Sequence, residues 1–173
     1  MGASDGGAPD TPPLSFLAFD FGTRRTGVAT GNTLLGRAQP LTTLDQPGDA
    51  RWLAIGRLVA QWCPDALVVG VPFHPDGAAH ENTARARRFA RQLRERYALP
   101  VHEVDERYTT TQARASGARD LDAAAAAIIL DQFLAPLPLP TAAAAAAAAE
   151  NSVEAPAETS AETSTETSTE GTR

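Results

Sequence analysis

The sequence has no lysine. All 15 of its basic residues are arginines, set against 21 acids for a net charge of −6. Alanine and proline are abundant alongside them, so the arginine-only usage reflects composition and by itself assigns no function. Cys63 is the only cysteine, which excludes an intrachain disulfide framework and a cysteine-ligated zinc site. Standing before Pro64 at an expected helix end, it is expected to be a small buried apolar residue. The three histidines, His74, His80 and His102, form no H-E-x-x-H pattern, so zinc hydrolase chemistry is not indicated. No serine occupies a G-x-S-x-G elbow, which argues against acyl transfer. Gly22 and Gly27 do not complete a dinucleotide fingerprint, and there is no P-loop. The first residues lack a basic segment followed by an apolar one, and no apolar run approaches membrane-spanning length. A cytoplasmic protein with no membrane partner is expected.

At 173 residues the chain is long enough for one domain with a real core. Its ends do not read as part of that core. Residues 1–14 hold Gly-Gly-Ala-Pro and Thr-Pro-Pro and no apolar run. From Pro136 the chain becomes Leu-Pro-Leu-Pro, then the alanine run Ala142–Ala149. A tract follows in which Glu158, Glu162, Glu166 and Glu170 recur every four residues among Thr and Ser. Like charges at i,i+4 on weak helix formers oppose helix formation, so 1–14 and 136–173 are expected to be disordered appendages and 15–135 the folded domain. The appendages carry the acidity. Residues 136–173 contribute −5 and residues 1–14 contribute −2, leaving residues 15–135 at +1. The acidic whole-chain balance therefore does not exclude a nucleic-acid partner.

Within the domain, Phe16–Phe21 reads as an apolar strand ending on an acid, Asp20. A glycine turn with Arg24 and Arg25 follows, then a second strand to Ala29. Arg37–Leu41 makes a short third strand, giving an antiparallel meander. Asp49 is a plausible cap for a helix that places Trp52, Ile55, Leu58, Val59 and Trp62 on one face and stops at Pro64. Ala66–Val71 is a continuous apolar run, as a central parallel strand requires. Thr83–Tyr97 predicts a helix with Ala86, Phe89, Ala90, Leu93 and Tyr97 inward. Arg87, Arg91 and Arg94 lie opposite, flanked by Arg85 and Arg88. That stripe reads either as a solvated face or as a phosphate-binding one. A strand from Val101 runs toward Asp105–Thr110, a short helix or turn covers Thr111–Ala118, and a last helix starts near Asp120–Asp122. The order β-β-β-α-β-α-β-α predicts an α/β protein of ribonuclease H-like fold, a mixed five-stranded sheet of three antiparallel strands then parallel ones, with helices packed on it.

Three acids share one local character. Asp20 ends an apolar strand, Glu106 follows another strand, and Asp122 falls in the first turn of the last helix, where an anion is tolerated. In a sheet of this order the first and fourth strands are neighbours, and carboxylates meeting at their ends would bind hard divalent cations through oxygen. Two such ions about 4 Å apart would activate a water and stabilise the leaving oxygen of a phosphodiester. Spacing alone leaves open whether the acids converge, and Asp20 alone could simply cap a turn.

Taken together, Ala18-Phe19-Asp20-Phe21-Gly22-Thr23, Val69-Gly70-Val71-Pro72 with Asp76-Gly77, Arg88-Phe89-Ala90, Val104-Asp105-Glu106-Arg107 and Asp122-Ala123-Ala124-Ala125 resemble the bacterial YqgF/RuvX family. These are ribonuclease H-like relatives of the RuvC Holliday-junction resolvases, and the likeness covers nearly all of residues 16–134. The resemblance implies a nuclease that matures the 5′ end of pre-16S rRNA with magnesium or manganese. It carries the metal-binding and catalytic roles onto Asp20, Glu106 and Asp122. Arg24, Arg25, Arg85, Arg87, Arg88 and Arg107 are the expected phosphate contacts, in a monomer or weak homodimer. Two departures stand out: the loop before the helical Asp shrinks to Ser116–Asp120, and His74 stands where relatives often have Asn. Rival readings are a DNA-directed nuclease or junction resolvase, and a non-catalytic ribosome-assembly factor. The Asp-Phe-Gly-Thr turn also resembles the phosphate loop of sugar-kinase and actin-type ATPases, which need two such domains.

Overall fold

The structure is a computed structural model, which describes residues 14–72, 81–105 and 120–137 together with Ala146. Glu106, Arg107, His74, His80, the turn at Pro75–Gly77, the short helix over Thr111–Ala118 and the shortened loop lie outside the described residues.

Among the described residues eight elements follow in the expected order: β1 (Ser15–Phe21), β2 (Thr26–Asn32), β3 (Arg37–Leu44), α1 (Asp49–Trp62), β4 (Ala66–Val71), α2 (Glu81–Tyr97), β5 (Val101–Asp105) and α3 (Leu121–Leu134). The strands form one sheet in the order β3-β2-β1-β4-β5. The β1–β2 and β2–β3 ladders are antiparallel, and the β1–β4 and β4–β5 ladders are parallel. This is the ribonuclease H-like arrangement expected from the element order. The three parallel strands point their carboxyl ends to one edge, where open α/β sheets place ligands.

Strand alternation divides the core between the two sheet faces. Leu17, Phe19, Val28, Leu67, Val69 and Val71 pack with Ile55 of α1 and with Ala86, Phe89, Ala90 and Leu93 of α2. Phe16, Ala18, Ala29, Ala66 and Val68 pack with Ala126, Ala127, Ile129, Leu130 and Leu134 of α3. Leu14 and Leu137 also lie against this second cluster. Every residue of β4 is buried, as its uninterrupted apolar run demands. Phe89 is the hub on the α1/α2 side. It stacks on Phe21 at 4.6 Å and on Trp52 at 5.3 Å, and meets Phe19 edge-on at 5.9 Å. Such aromatic pairs add about 0.5–1.5 kcal/mol each beyond their burial.

Three expectations about α1 need correction. The cap is Gly48, with no side-chain cap bond, and Asp49 is the first residue of the helix. Cys63 is exposed, not buried. Pro64 disfavours a helical residue before it, and Cys63 takes the left-handed cap conformation (φ 42°, ψ 54°) that turns its side chain outward. Trp62 is likewise exposed. The rest of the expected face does pack inward: Ile55 is buried, Trp52, Leu58 and Val59 lie against the same cluster, and the buried Arg51 joins them.

The outer strand β3 is irregular. Its register with β2 shifts between Val28 and Ala29, opposite Pro40–Thr42. The Ala38 N–H is not offered to β2 but donates to Asp131 Oδ1 of α3 at 2.7 Å.

Candidate active site

Asp20 has the parity of Phe16 and Ala18, so it falls on the α3 face of β1 at the strand's carboxyl end. Its register partner across the ladder is Gly27. The first turn of α3 lies directly on that glycine. A Cβ added there would stand 1.8 Å from the Asp122 carbonyl oxygen, 2.2 Å from its carbonyl carbon and 2.9 Å from the Ala123 nitrogen. Only a residue without a side chain lets the helix come so near the strand. Gly27 therefore touches two of the three expected ligand residues, Asp20 through the ladder and Asp122 through helix backbone.

The helix start is held laterally as well. Asp120 is its N-cap, accepting from the Ala123 N–H at 3.1 Å and also from the Thr43 hydroxyl of β3. A cap of this kind contributes about 1 kcal/mol. Buried alanines at 123–127 keep the first turns slim against the sheet. The Asp122 carboxylate in that first turn pairs with Arg25, Nε to Oδ2 at 3.0 Å.

Arg25 belongs to the turn between β1 and β2. The Gly22 N–H donates to the Arg25 carbonyl at 2.9 Å, and a Cβ on Gly22 would lie 2.6 Å from that same oxygen. What fixes this turn to the domain is Arg51, which sequence reasoning missed. Its side chain is 6% exposed. It donates to the carbonyls of Gln46 at 3.1 Å, Gly22 at 3.2 Å and Thr23 at 2.9 Å, and lies 5.4 Å over the Phe21 ring. Burial lowers its pKa from the ordinary arginine value, yet a guanidinium keeps its proton in a protein. The one available signal was an arginine four residues before Ile55 on the apolar stripe of α1.

The other expected phosphate contacts are scattered. Arg24 is exposed and lines a groove of ≈ 520 Å³ with Thr23, Arg25, Asp45 and Pro47. Arg85 reaches the far side of the same turn, lining a smaller groove with Phe21, Gly22, Thr23, Pro72 and Asn82, and pairs with Glu81. Arg87 is turned toward β5, 3.5 Å from Glu103. Arg88 is exposed on α2, which packs on the sheet face opposite α3. The site edge thus gathers Asp20, Asp122, Arg24, Arg25 and Arg85, while Arg87 is drawn aside.

β5 ends at the same edge, with Asp105 in register with Val71; Glu106 is the next residue in the chain. Among the described residues no three His, Cys, Asp or Glu side chains form a metal cage. Asp20 and Asp122 nonetheless offer only oxygen donors, from rigid elements on one sheet face. That donor chemistry fits a hard divalent cation such as Mg²⁺ or Mn²⁺.

A family model described as RuvX, Holliday junction resolvase, matches residues 14–136. The chain belongs to the RuvX family. A relative from Albidiferax ferrireducens is 68% identical over 120 residues, covering 69% of this chain and 77% of its own length. One from Polaromonas sp. is 64% identical over 124 residues, covering 72% of this chain and 90% of its own. Both carry the name "Putative pre-16S rRNA nuclease". Among solved structures, T. thermophilus RuvC in complex with Holliday junction substrate matches with a TM-score of 0.49 and 15% identity, over 70% of this chain and 94% of that one. The RuvX match spans all eight elements, from β1 through α3. No helix among the described residues is long and apolar enough to cross a membrane.

Proposed function

We propose that this RuvX-family chain is a metal-dependent endonuclease that hydrolyses phosphodiesters of structured nucleic acid, with the 5′ end of pre-16S rRNA as its substrate. The observation that carries the reading is Gly27, paired with Asp20 and in backbone contact with Asp122. The names of the relatives from Albidiferax and Polaromonas favour precursor rRNA. In this reading Asp20, Glu106 and Asp122 hold Mg²⁺ or Mn²⁺. When bound, the metal supplies an activated water and charge stabilisation at the leaving oxygen.

The chain's own residues do the remaining work. Arg24 and Arg25 project from the anchored turn beside the carboxylates, and their planar guanidinium groups suit phosphate oxygens. Arg85, across the turn, extends the basic edge in the other direction, and Arg88 and Arg107 add weaker contacts. Arg51 keeps the turn from shifting when phosphates pull on it. The protein acts in the cytoplasm as a monomer or weak homodimer, with residues 1–14 and 136–173 as appendages apart from Leu14 and Leu137, which pack on the α3 side of the core.

The test is a cleavage panel of precursor 16S rRNA 5′ ends, four-way DNA junctions and single strands, each with Mg²⁺ and with Mn²⁺. Precursor rRNA is expected to be cut, and Asp20→Asn and Asp122→Asn each to lower the rate by at least the roughly 10- to 100-fold that loss of a ligand's supporting partner costs. Full cleavage by Asp20→Asn would remove the assignment. The description of the family model favours one second reading, a DNA junction resolvase, which preferential cutting of the four-way junction would establish. Binding of precursor rRNA without cleavage of any substrate would point to an assembly factor.

A further inference from the structure

We infer that Arg25 is a built-in counter-ion that holds the place of the divalent cation on Asp122 and moves to substrate phosphate when the cation arrives. The inference rests on the metal-dependent reading above and deepens it. Arg25 Nε lies 3.0 Å from Asp122 Oδ2, on one of the oxygens a metal would need. A guanidinium and a divalent cation on one carboxylate repel each other, so binding of the cation displaces the arginine.

The two partners differ in freedom. The Asp122 side chain is 31% exposed and rides on a helix turn seated on Gly27 and capped by Asp120; Arg25 is 65% exposed. The turn backbone beneath Arg25 is fixed by Arg51 through Gly22 and Thr23. Displacement is therefore a side-chain rotation and needs no movement of the strands. The rotation has a destination, because Arg25 lines two grooves. One holds Thr43, Asp45, Asp120, Leu121 and Asp122. The other holds Thr23, Arg24, Asp45 and Pro47. Leaving the first for the second sets Arg25 beside Arg24, so that two guanidinium groups outweigh the one Asp45 carboxylate there and leave a net positive groove for a phosphate. A half-exposed ion pair shifts an equilibrium by less than tenfold, so it neutralises the carboxylate without locking the cation out.

The experiment titrates Mn²⁺ into the full-length chain by calorimetry and follows thermal unfolding in EDTA and in saturating Mn²⁺. Arg25→Gln is expected to bind Mn²⁺ roughly two- to five-fold tighter than wild type, and Arg25→Lys, which keeps the charge, to stay near wild type. Arg25→Gln should melt about 1–3 °C below wild type in EDTA, and the gap should close in Mn²⁺. Unchanged or weaker Mn²⁺ affinity in Arg25→Gln overturns the inference and leaves the metal-dependent reading intact. An equal gain in Arg25→Lys overturns it too, since charge would then not be the cause. Absence of Mn²⁺ binding by every variant overturns the metal-dependent reading, and this inference with it.

Discussion

Consider the substitution Gly27→Ala. The new methyl carbon would stand 1.8 Å from the Asp122 carbonyl oxygen, whereas ordinary contacts of a Cβ begin near 3.4 Å. The obstacle is helix backbone, so no rotamer change relieves it, and the first turn of α3 must retreat by roughly 1.5 Å. Overpacking of this kind costs about 1–3 kcal/mol, or roughly 3–10 °C in Tm for a domain of this size. Its effect on chemistry should be larger, because the retreat carries Asp122 away from Asp20. A misplacement of about 1 Å costs on the order of 100-fold in rate. Single-turnover cleavage with Mg²⁺, read beside thermal unfolding, separates the two effects. Gly31→Ala is the control. It meets Leu130 Cδ2 and the Arg37 carbonyl at 2.9 Å, four residues along β2 from the site, and should lose stability but keep cleavage within a few-fold. A folded Gly27→Ala protein that cleaves within threefold of wild type would refute the claim that this glycine sets the carboxylate geometry.

Other perturbations test the surroundings. Arg51→Met strips the donor from the carbonyls of Gln46, Gly22 and Thr23 and should cost about 2–4 kcal/mol in urea unfolding; a loss below 1 kcal/mol would show that the turn is held by other means. Tyr97 donates to the Trp52 carbonyl at 2.8 Å, and burial raises its pKa above the usual value of 10.0 while Arg96 pulls the other way. The unfolded chain then loses this proton first, so stability is full below about pH 10 and falls as pH rises toward the folded pKa. Tyr97→Phe should abolish that component of alkaline destabilisation, and an unchanged alkaline unfolding curve would argue against it. Arg24→Gln should reduce the salt slope of nucleic-acid binding by about one, whereas Arg87→Gln should leave it unchanged because Glu103 already occupies Arg87. Equal changes in both would contradict the division of roles.

The sheet was legible because each strand announces itself locally. β4 is apolar throughout, and β1 breaks its apolar run at an acid where the strand reaches the edge. The neighbourhood of the first and fourth strands followed from element order and is observed. Contacts that depend on long-range approach were not legible. Gly27 looks like any turn-flanking glycine until α3 is known to cross β2. The hydrogen bonds of Arg51 among the described residues go to backbone carbonyls, which leave no trace in residue identity. Arg87 faces Glu103 because α2 packs beside β5, so a helical-wheel reading of the arginine stripe could not divide it from Arg85. Pro64 correctly marked the end of α1, but not that Trp62 and Cys63 turn outward there.

The irregular outer strand bears on how copies of this chain could meet. A free sheet edge invites another strand to add to it, and the invitation is made by its outward N–H groups. On β3 the Ala38 donor is already taken by Asp131. Two residues on, at the next position of the same orientation, Pro40 has no donor, and the register shift follows at once. A second copy approaching this side would find neighbouring rungs missing and the ladder out of step. Growth of the sheet from chain to chain is thereby disfavoured over the Ala38–Pro40 stretch of β3.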